Sequence, residues 1–388
     1  MVNSLELVQA VLLCSLLVAS PGEAGGTAPA VSEPPAQVAA VEYGPQGARP
    51  VVFQVSNRRL QWAGDWSQDA LIAHLSWSPD GAFLLYRQAD TLMLHAMGEQ
   101  GSVKLAEGLA MPRVARPDYA LSPDGQQVSL RSSLSQVGLV SLGAGSGATG
   151  TPRQVAMPSG CLPSSMQWRP DGKELWVYCS FEDSKAAPLL VKIDPTTAGA
   201  DARPAPDVAG LLGWSEQHGL LVSGKADAYG QRPGRVAVDG SYTALRPAPA
   251  VGAETQESPP IDFVQGYLPS IDGFVMARAT EDSQDPVFLT LVTPGSAPAR
   301  RWLKAFRRVG TISYGIPAPW VAFVDRKPAD RGDVGDIYIV RAGKEDARLV
   351  ARSNPKRETF YSSPVPRPHK ATAKSGPGKP APSKKPAG

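Results

Sequence analysis

Cysteine, histidine and charge are all scarce in this chain, and each shortage removes a class of chemistry. Only Cys161 and Cys179 lie beyond the first 24 residues, and no two of the four histidines are near each other in sequence, so no cysteine-based zinc site is expected; no HExxH run occurs, which excludes the helical zinc-hydrolase site. Charged residues make up 19 %, below the usual quarter. The apolar run from Leu7 to Ala19 is interrupted by Gln9, Cys14 and Ser15 and falls short of the roughly 20 residues a membrane helix needs. Small residues follow it, and Gly22-Glu-Ala24 fits the small-x-small cleavage pattern. Residues 1–24 read as a secretory signal peptide. The n-region has Glu6 and no lysine or arginine, so an uncleaved anchor is the other reading. Leu12-Leu13 before Cys14 does not suit a lipoprotein anchor.

An exported chain cut near Ala24 keeps two cysteines, Cys161 and Cys179. An even count in that setting reads as one disulfide, against two separate buried thiols. The expected location is the periplasm or the extracellular space. The formal charge of +3 hides a split. Residues 366–388 hold Arg367, Lys370, Lys374, Lys379, Lys384 and Lys385 and no acid, which leaves the rest of the chain net negative. A globular part of that sign has no electrostatic footprint for nucleic acid.

What the chain does have is glycine and proline, 38 of each, roughly one residue in five against about one in eight in average usage. That excludes helical bundles and coiled coils, and the irregular spacing excludes collagen. Much of the excess is periodic. Leu75-Ser-Trp-Ser-Pro-Asp-Gly81, Tyr119-Ala-Leu-Ser-Pro-Asp-Gly125 and Met166-Gln-Trp-Arg-Pro-Asp-Gly172 each precede an apolar run. Weaker copies end at Gly219 and Gly273, and a sixth around Pro319 lacks the glycine. The period is about 45 residues, the length of one four-stranded propeller blade. Pro79, Pro123 and Pro170 preset the turn, and Asp80, Asp124 and Asp171 bond back to the backbone. Gly81, Gly125 and Gly172 take the left-handed conformation that closes the hairpin. These aspartates are turn formers rather than an acid–base set. Trp77, Trp168 and Trp214 recur just before the turn, where they are expected to fill the wedge between blades.

Trp-Ser-Pro-Asp-Gly followed by an apolar strand resembles the WD-repeat-like blade of TolB-type β-propellers. The resemblance implies an all-β propeller of four-stranded antiparallel blades. It covers about residues 50–365, clearest in the first three repeats. The additional α/β domain of TolB has no counterpart here, so its partners are not carried over. Residues 25–49 read as a flexible Ala/Pro/Gly leader and 366–388 as a disordered Lys/Pro-rich tail. Six repeats leave strands over at both ends: residues 51–55 and 59–62, and residues 358–363. A composite seventh blade would use them and close the ring, with six blades as the alternative.

A search for chemistry returns little. Ser146 in the glycine-rich 143–150 segment has glycines beside it rather than two positions away, so it is not a nucleophile elbow. No catalytic set, cofactor or metal site is expected. Glu182-Asp183 and Glu281-Asp282-Ser-Gln-Asp285 follow the second strand of their repeats and should decorate one rim, where they could receive a basic partner or a divalent cation. A further run, Asp330, Asp333 and Asp336, lacks the closing glutamate of a calcium loop. The expected function is an exported, monomeric, non-catalytic propeller that binds a protein or an envelope polymer. Its Lys/Pro tail would make weak, salt-screened contact with an anionic surface. The alternative is a propeller enzyme of lactonase or hydrolase type with a metal in the central channel, for which Asp118 and Asp262 are the candidates.

Overall fold

The computed structural model describes residues 34–368 apart from 69–70, 110–117, 144–151, 184, 228–229, 238, 246–260, 280–287, 295–299, 307–308, 315–318 and 327–333. The chain opens with an antiparallel meander of β1 (Gln37–Gly44), β2 (Gly47–Gln54) and β3 (Arg59–Ala63). Four-stranded meanders follow. The first has β4 (Ile72–Trp77), β5 (Phe83–Gln88), β6 (Thr91–Ala96) and β7 (Val103–Ala106). The second has β8 (Tyr119–Leu121), β9 (Gln127–Ser133), β10 (Gln136–Ser141) and β11 (Arg153–Ala156). The third has β12 (Leu162–Trp168), β13 (Leu175–Ser180), β14 (Leu189–Ile193) and β15 (Ala200–Pro204). The fourth has β16 (Val208–Ser215), β17 (Gly219–Gly224), β18 (Pro233–Val236) and β19 (Tyr242–Ala244). The fifth has β20 (Ile261–Leu268), β21 (Gly273–Ala279), β22 (Phe288–Val292) and β23 (Arg300–Trp302). Last come β24 (Val309–Tyr314), β25 (Trp320–Arg326), β26 (Gly335–Arg341), β27 (Arg348–Ala351) and β28 (Phe360–Pro366).

Among the described residues these make five four-stranded sheets and one eight-stranded sheet, ordered β24-β25-β26-β28-β1-β2-β3 with β27 on β26. The link between β26 and β28 is a single residue pair, Gly335 with Tyr361. First strands of successive meanders touch one another, β8 with β12, β12 with β16 and β16 with β20, and β28 touches β4. The fold is a β-propeller of four-stranded antiparallel blades.

The core lies between the blades rather than inside one sheet. Val137, Leu139 and Val155 of the second meander pack against Leu175, Val177 and Val191 of the third. Leu289, Leu291 and Trp302 meet Phe323 and Val340 in the same way. Inner strands are therefore covered on both faces and read as unbroken apolar runs. Outer strands such as β15 are mostly exposed.

The turns follow their residues. Ser78 Oγ and the Ala82 N–H both donate to Asp80 Oδ1, at 2.6 and 2.9 Å, and Gly81 closes the turn at φ +69° with its N–H on Ser78 O. Asp124 repeats this with Ser122 and Gln126 at 2.5 and 3.0 Å. Asp171 Oδ1 accepts from the Lys173 N–H at 3.1 Å.

The blade seams repeat too. Trp168 Nε1 donates to Ala120 O of the preceding first strand at 3.1 Å, and Trp77 Nε1 donates to Val365 O of β28 at 3.0 Å. The Arg169 guanidinium lies 5.6 Å over the Trp214 ring, and that of Arg367 lies 5.4 Å over Trp77. On the outer rim, Arg153 donates to Thr196 O at 2.7 Å, Trp302 to Lys344 O at 2.5 Å and Trp62 to Gln100 O at 3.4 Å. Trp77 and Trp168 are buried, whereas Trp214 is only partly so.

Two boundaries differ from the sequence expectation. Strand β1 and the start of β2 fall inside 25–49, the span that composition assigns to a flexible leader. Val38, Ala39, Ala40 and Val41 are buried on both faces, so this strand shows no alternation and resembles Ala-rich low complexity. At the other end Pro366 completes β28, and Arg367 is held by Gly81 O at 2.8 Å and by Gln37 Oε1. Its proline-flanked context, read as tail, is a strand end in the manner of Arg169-Pro170. Residues 1–33 and 369–388 lie outside the described residues.

Candidate functional site

In each meander the first strand begins where the second ends, as in the pairing of Ile72 with Gln88 and of Leu162 with Ser180. Connections between second and third strands, and those leading into first strands, therefore share one face, here called the loop face. The Pro-Asp-Gly turns occupy the opposite, turn face.

Glu182 and Asp183 lie on the loop face just after β13, and both are exposed. Asp183 Oδ1 accepts the Lys185 N–H at 2.9 Å, so this carboxylate also shapes its own loop. Glu281, Asp282 and Asp285 lie outside the described residues, as do Ser146, Asp330 and Asp333. Asp336 is buried in β26, and its Oδ1 accepts the Ser353 N–H at 2.9 Å. It is a structural acceptor, not a loop carboxylate. Beside the acidic loop, Cys161 and Cys179 form a disulfide, Cα–Cα 5.2 Å, between the entrance of β12 and the end of β13. Leu134, at the tip of the β9–β10 hairpin, is 60 % exposed, and Leu71 at the start of β4 is exposed too.

The channel candidates separate. Asp118 stands at the entrance of β8, but it is 4 % exposed and lies between two guanidiniums of neighbouring blades. Arg87 Nη1 is 3.4 Å and Arg131 Nη2 is 3.8 Å from its Oδ2. Burial pulls the Arg87 pKa down, and the Asp118 charge opposes this. Tyr119 beside it donates to Leu85 O at 3.1 Å and to His74 O, and burial pushes its phenol well above 10. The Asp118 carboxylate is thus an ionic tie between blades. Asp262 sits on β20, paired in register with Arg278. Among the residues of the first strands β4, β8, β12, β16, β20 and β24 and of β28, His74 and Asp262 are the only histidine or acid. Among the described residues no group of three or more His, Cys, Asp or Glu side chains could hold a metal ion.

Two polar clusters had no signal in the repeat. Glu42 accepts Arg49 Nε at 2.6 Å, and Arg49 lies 4.3 Å over Trp66. Burial, helped by Glu42, raises the Tyr361 phenol to about 12. On the turn face, Tyr267 donates to Asp272 Oδ1 at 2.7 Å while His218 Nε2 lies 3.5 Å from Oδ2. The only hint of this pair in the sequence is that the fourth and fifth turns have lost the standard Pro-Asp-Gly.

No protein-family model matches the chain, and no curated protein sequence matches it either. Solved structures do resemble it. Oligogalacturonate lyase from Vibrio parahaemolyticus matches with a TM-score of 0.52 and 11 % identity, over 83 % of this chain and 87 % of the lyase. A β-propeller domain from Myceliophteria thermophila matches with a TM-score of 0.50 and 14 % identity, over 76 % and 94 %. TolB from Acinetobacter baumannii aligns with a TM-score of 0.46 and 11 % identity, over 86 % and 67 %. At these identities the likeness establishes one thing: the chain has the β-propeller fold.

Proposed function

We propose that the protein is a seven-bladed β-propeller that works outside the cytoplasm as a non-catalytic platform, binding a protein or envelope polymer through its loop face. Seven blades follow from dividing the eight-stranded sheet at its single Gly335–Tyr361 pair into β24–β27 and a composite blade β28-β1-β2-β3. The seam contacts support that division. Trp77 bonds to β28 as Trp168 bonds to β8. Trp62 of β3 reaches the next turn as Trp302 of β23 does.

The observation that carries the function is the contrast between the two ends of the polar inventory. The first strands hold only His74 and Asp262 as histidine or acid, while exposed acids and exposed leucines stand on the loop face. A rigid ring with variable loops on one face is suited to binding. The Cys161–Cys179 disulfide supports export, since such bonds persist in oxidising compartments. The Lys/Pro tail adds a salt-screened contact with an anionic surface.

The test is capture of partners from an envelope extract by the wild-type protein and by a variant with Glu182, Asp183, Glu281 and Asp282 each changed to Lys. Loss of a specific partner at unchanged melting temperature supports the reading, and undiminished capture removes the acidic rim from it. The competing reading is a hydrolase with a channel metal. Stoichiometric metal in the purified protein, lost on Asp262→Ala, would replace the platform with that enzyme.

A further inference from the structure

His95, in β6, is fully buried at 0 % exposure. Its Nδ1 lies 3.0 Å from Gly101 O. A carbonyl only accepts, so Nδ1 carries the proton of the neutral ring. That leaves Nε2 as the bare nitrogen, and it is buried with no hydrogen-bond partner. One face of the imidazole stacks on Trp62 of β3, with centroids 3.8 Å apart and planes at 19°. The same indole holds Gln100 O through its N–H. The His–Trp stack thus joins β3, the last strand of the meander that pairs with β28, to the blade β4–β7.

We propose that His95 is an acid sensor in this seam, and that protonating it loosens the grip of β3 and the 97–101 turn on each other. A proton added at Nε2 finds no acceptor. The attraction of an imidazolium for the indole face works the other way, but a buried N–H⁺ without an acceptor costs more than a cation–π contact returns. The groups facing the ring do not reverse this. Leu84, its partner across β5, and Trp62 are uncharged; Glu99, in its own turn, is the one nearby charge acting on it. Burial depresses the His95 pKa below 6.5, with the Gly101 bond and Glu99 opposing more weakly. The unfolded chain therefore binds the proton first. The contribution of the stack is complete above about pH 6.5 and is lost as pH falls below it.

Amide hydrogen exchange of the intact protein at about pH 7.5 and about pH 5.5, corrected for intrinsic rates, tests this. In the wild type, β3 and residues 97–101 should lose protection in acid by up to about tenfold, the limit set by a pH about one unit below 6.5, while β12–β15 stay unchanged. His95→Gln, which keeps a donor for Gly101 O and cannot titrate, should show no such change. If that variant does not fold, the imidazole resonances of wild-type His95 decide. A neutral Nδ1–H form titrating below 6.5, together with the loss of β3 protection, supports the sensor. Titration at or above 6.5, or equal loosening of β3 and β13, overturns it.

Discussion

The indole N–H of Trp77 bonds to the carbonyl of Val365 at 3.0 Å across a sequence separation of 288 residues. The bond from Trp168 to Ala120 spans only 48, yet in both the last residue of a meander's first strand reaches across a seam, to β28 or to β8. Replacing Trp168 by Ala should cost about 3–5 kcal/mol, and Trp77→Ala a similar amount. Trp77→Phe, which keeps most of the packing and loses the bond, should cost about 1 kcal/mol. Urea unfolding measures all three, and an unchanged midpoint in Trp168→Ala would contradict its place in the core.

Among the described residues, Arg367 is the last whose side chain is tied to the blades. Ending the chain after Pro368 should leave the melting temperature unchanged, because β28 and the Arg367 contacts with Gly81 and Trp77 survive. Ending it after Thr359 removes β28 and should abolish the cooperative transition. Differential scanning calorimetry of the two truncations distinguishes them.

Asp118 offsets two buried guanidiniums. Asp118→Ala leaves both without that carboxylate and should destabilise by about 3–5 kcal/mol, the usual range for breaking a buried pair from one side. A hydrolase in which Asp118 held a metal would instead lose activity with little loss of stability.

Cys161 and Cys179 are both fully buried. Native protein should resist a thiol reductant that readily opens the bond in denaturant, where mass spectrometry reads a gain of two hydrogens. The double Cys→Ser variant should lose about 3 kcal/mol in the chain-entropy account.

Acid should weaken the turns. Partial burial pulls the Asp80 pKa upward, but the bonds from Ser78 and Ala82 and the charge of Arg367 outweigh it and hold the carboxyl below its ordinary 3.8. A depressed carboxylate stabilises the fold above its unfolded pKa, and that stability disappears as pH falls through the folded value. Asp194 and Asp239 are lowered likewise by bonds from Thr196 and Ser241. Asp80→Asn should therefore lose less stability than the wild type between about pH 4 and about pH 2, as judged by urea midpoints.

The propeller was legible because Pro79-Asp80-Gly81 and its copies depend on local chemistry alone: preset φ, a side-chain acceptor and a left-handed glycine. Strand β1 was not, since Val38–Val41 are buried on both faces and have no period to detect. The Trp–Arg stacks leave no trace in the sequence for another reason. Arg169 and Arg367 sit after their strands as ordinary turn residues, and only the ring brings each over the next tryptophan. Asp118 reads as a channel acid from sequence because its partners, Arg87 and Arg131, lie in other strands with no spacing to announce them. The His95–Trp62 stack is invisible for the same reason.

The pairing of Val38 with Pro366 and of Tyr43 with Phe360 also sets the order of events during synthesis. Among the described strands, β1 leaves the ribosome first and its partner β28 last. Until β28 arrives, β1 presents an open hydrogen-bonding edge that a second nascent chain could occupy. Translation that stalls within the last meander would therefore release a chain with its final blade unlatched and prone to pair with its neighbours.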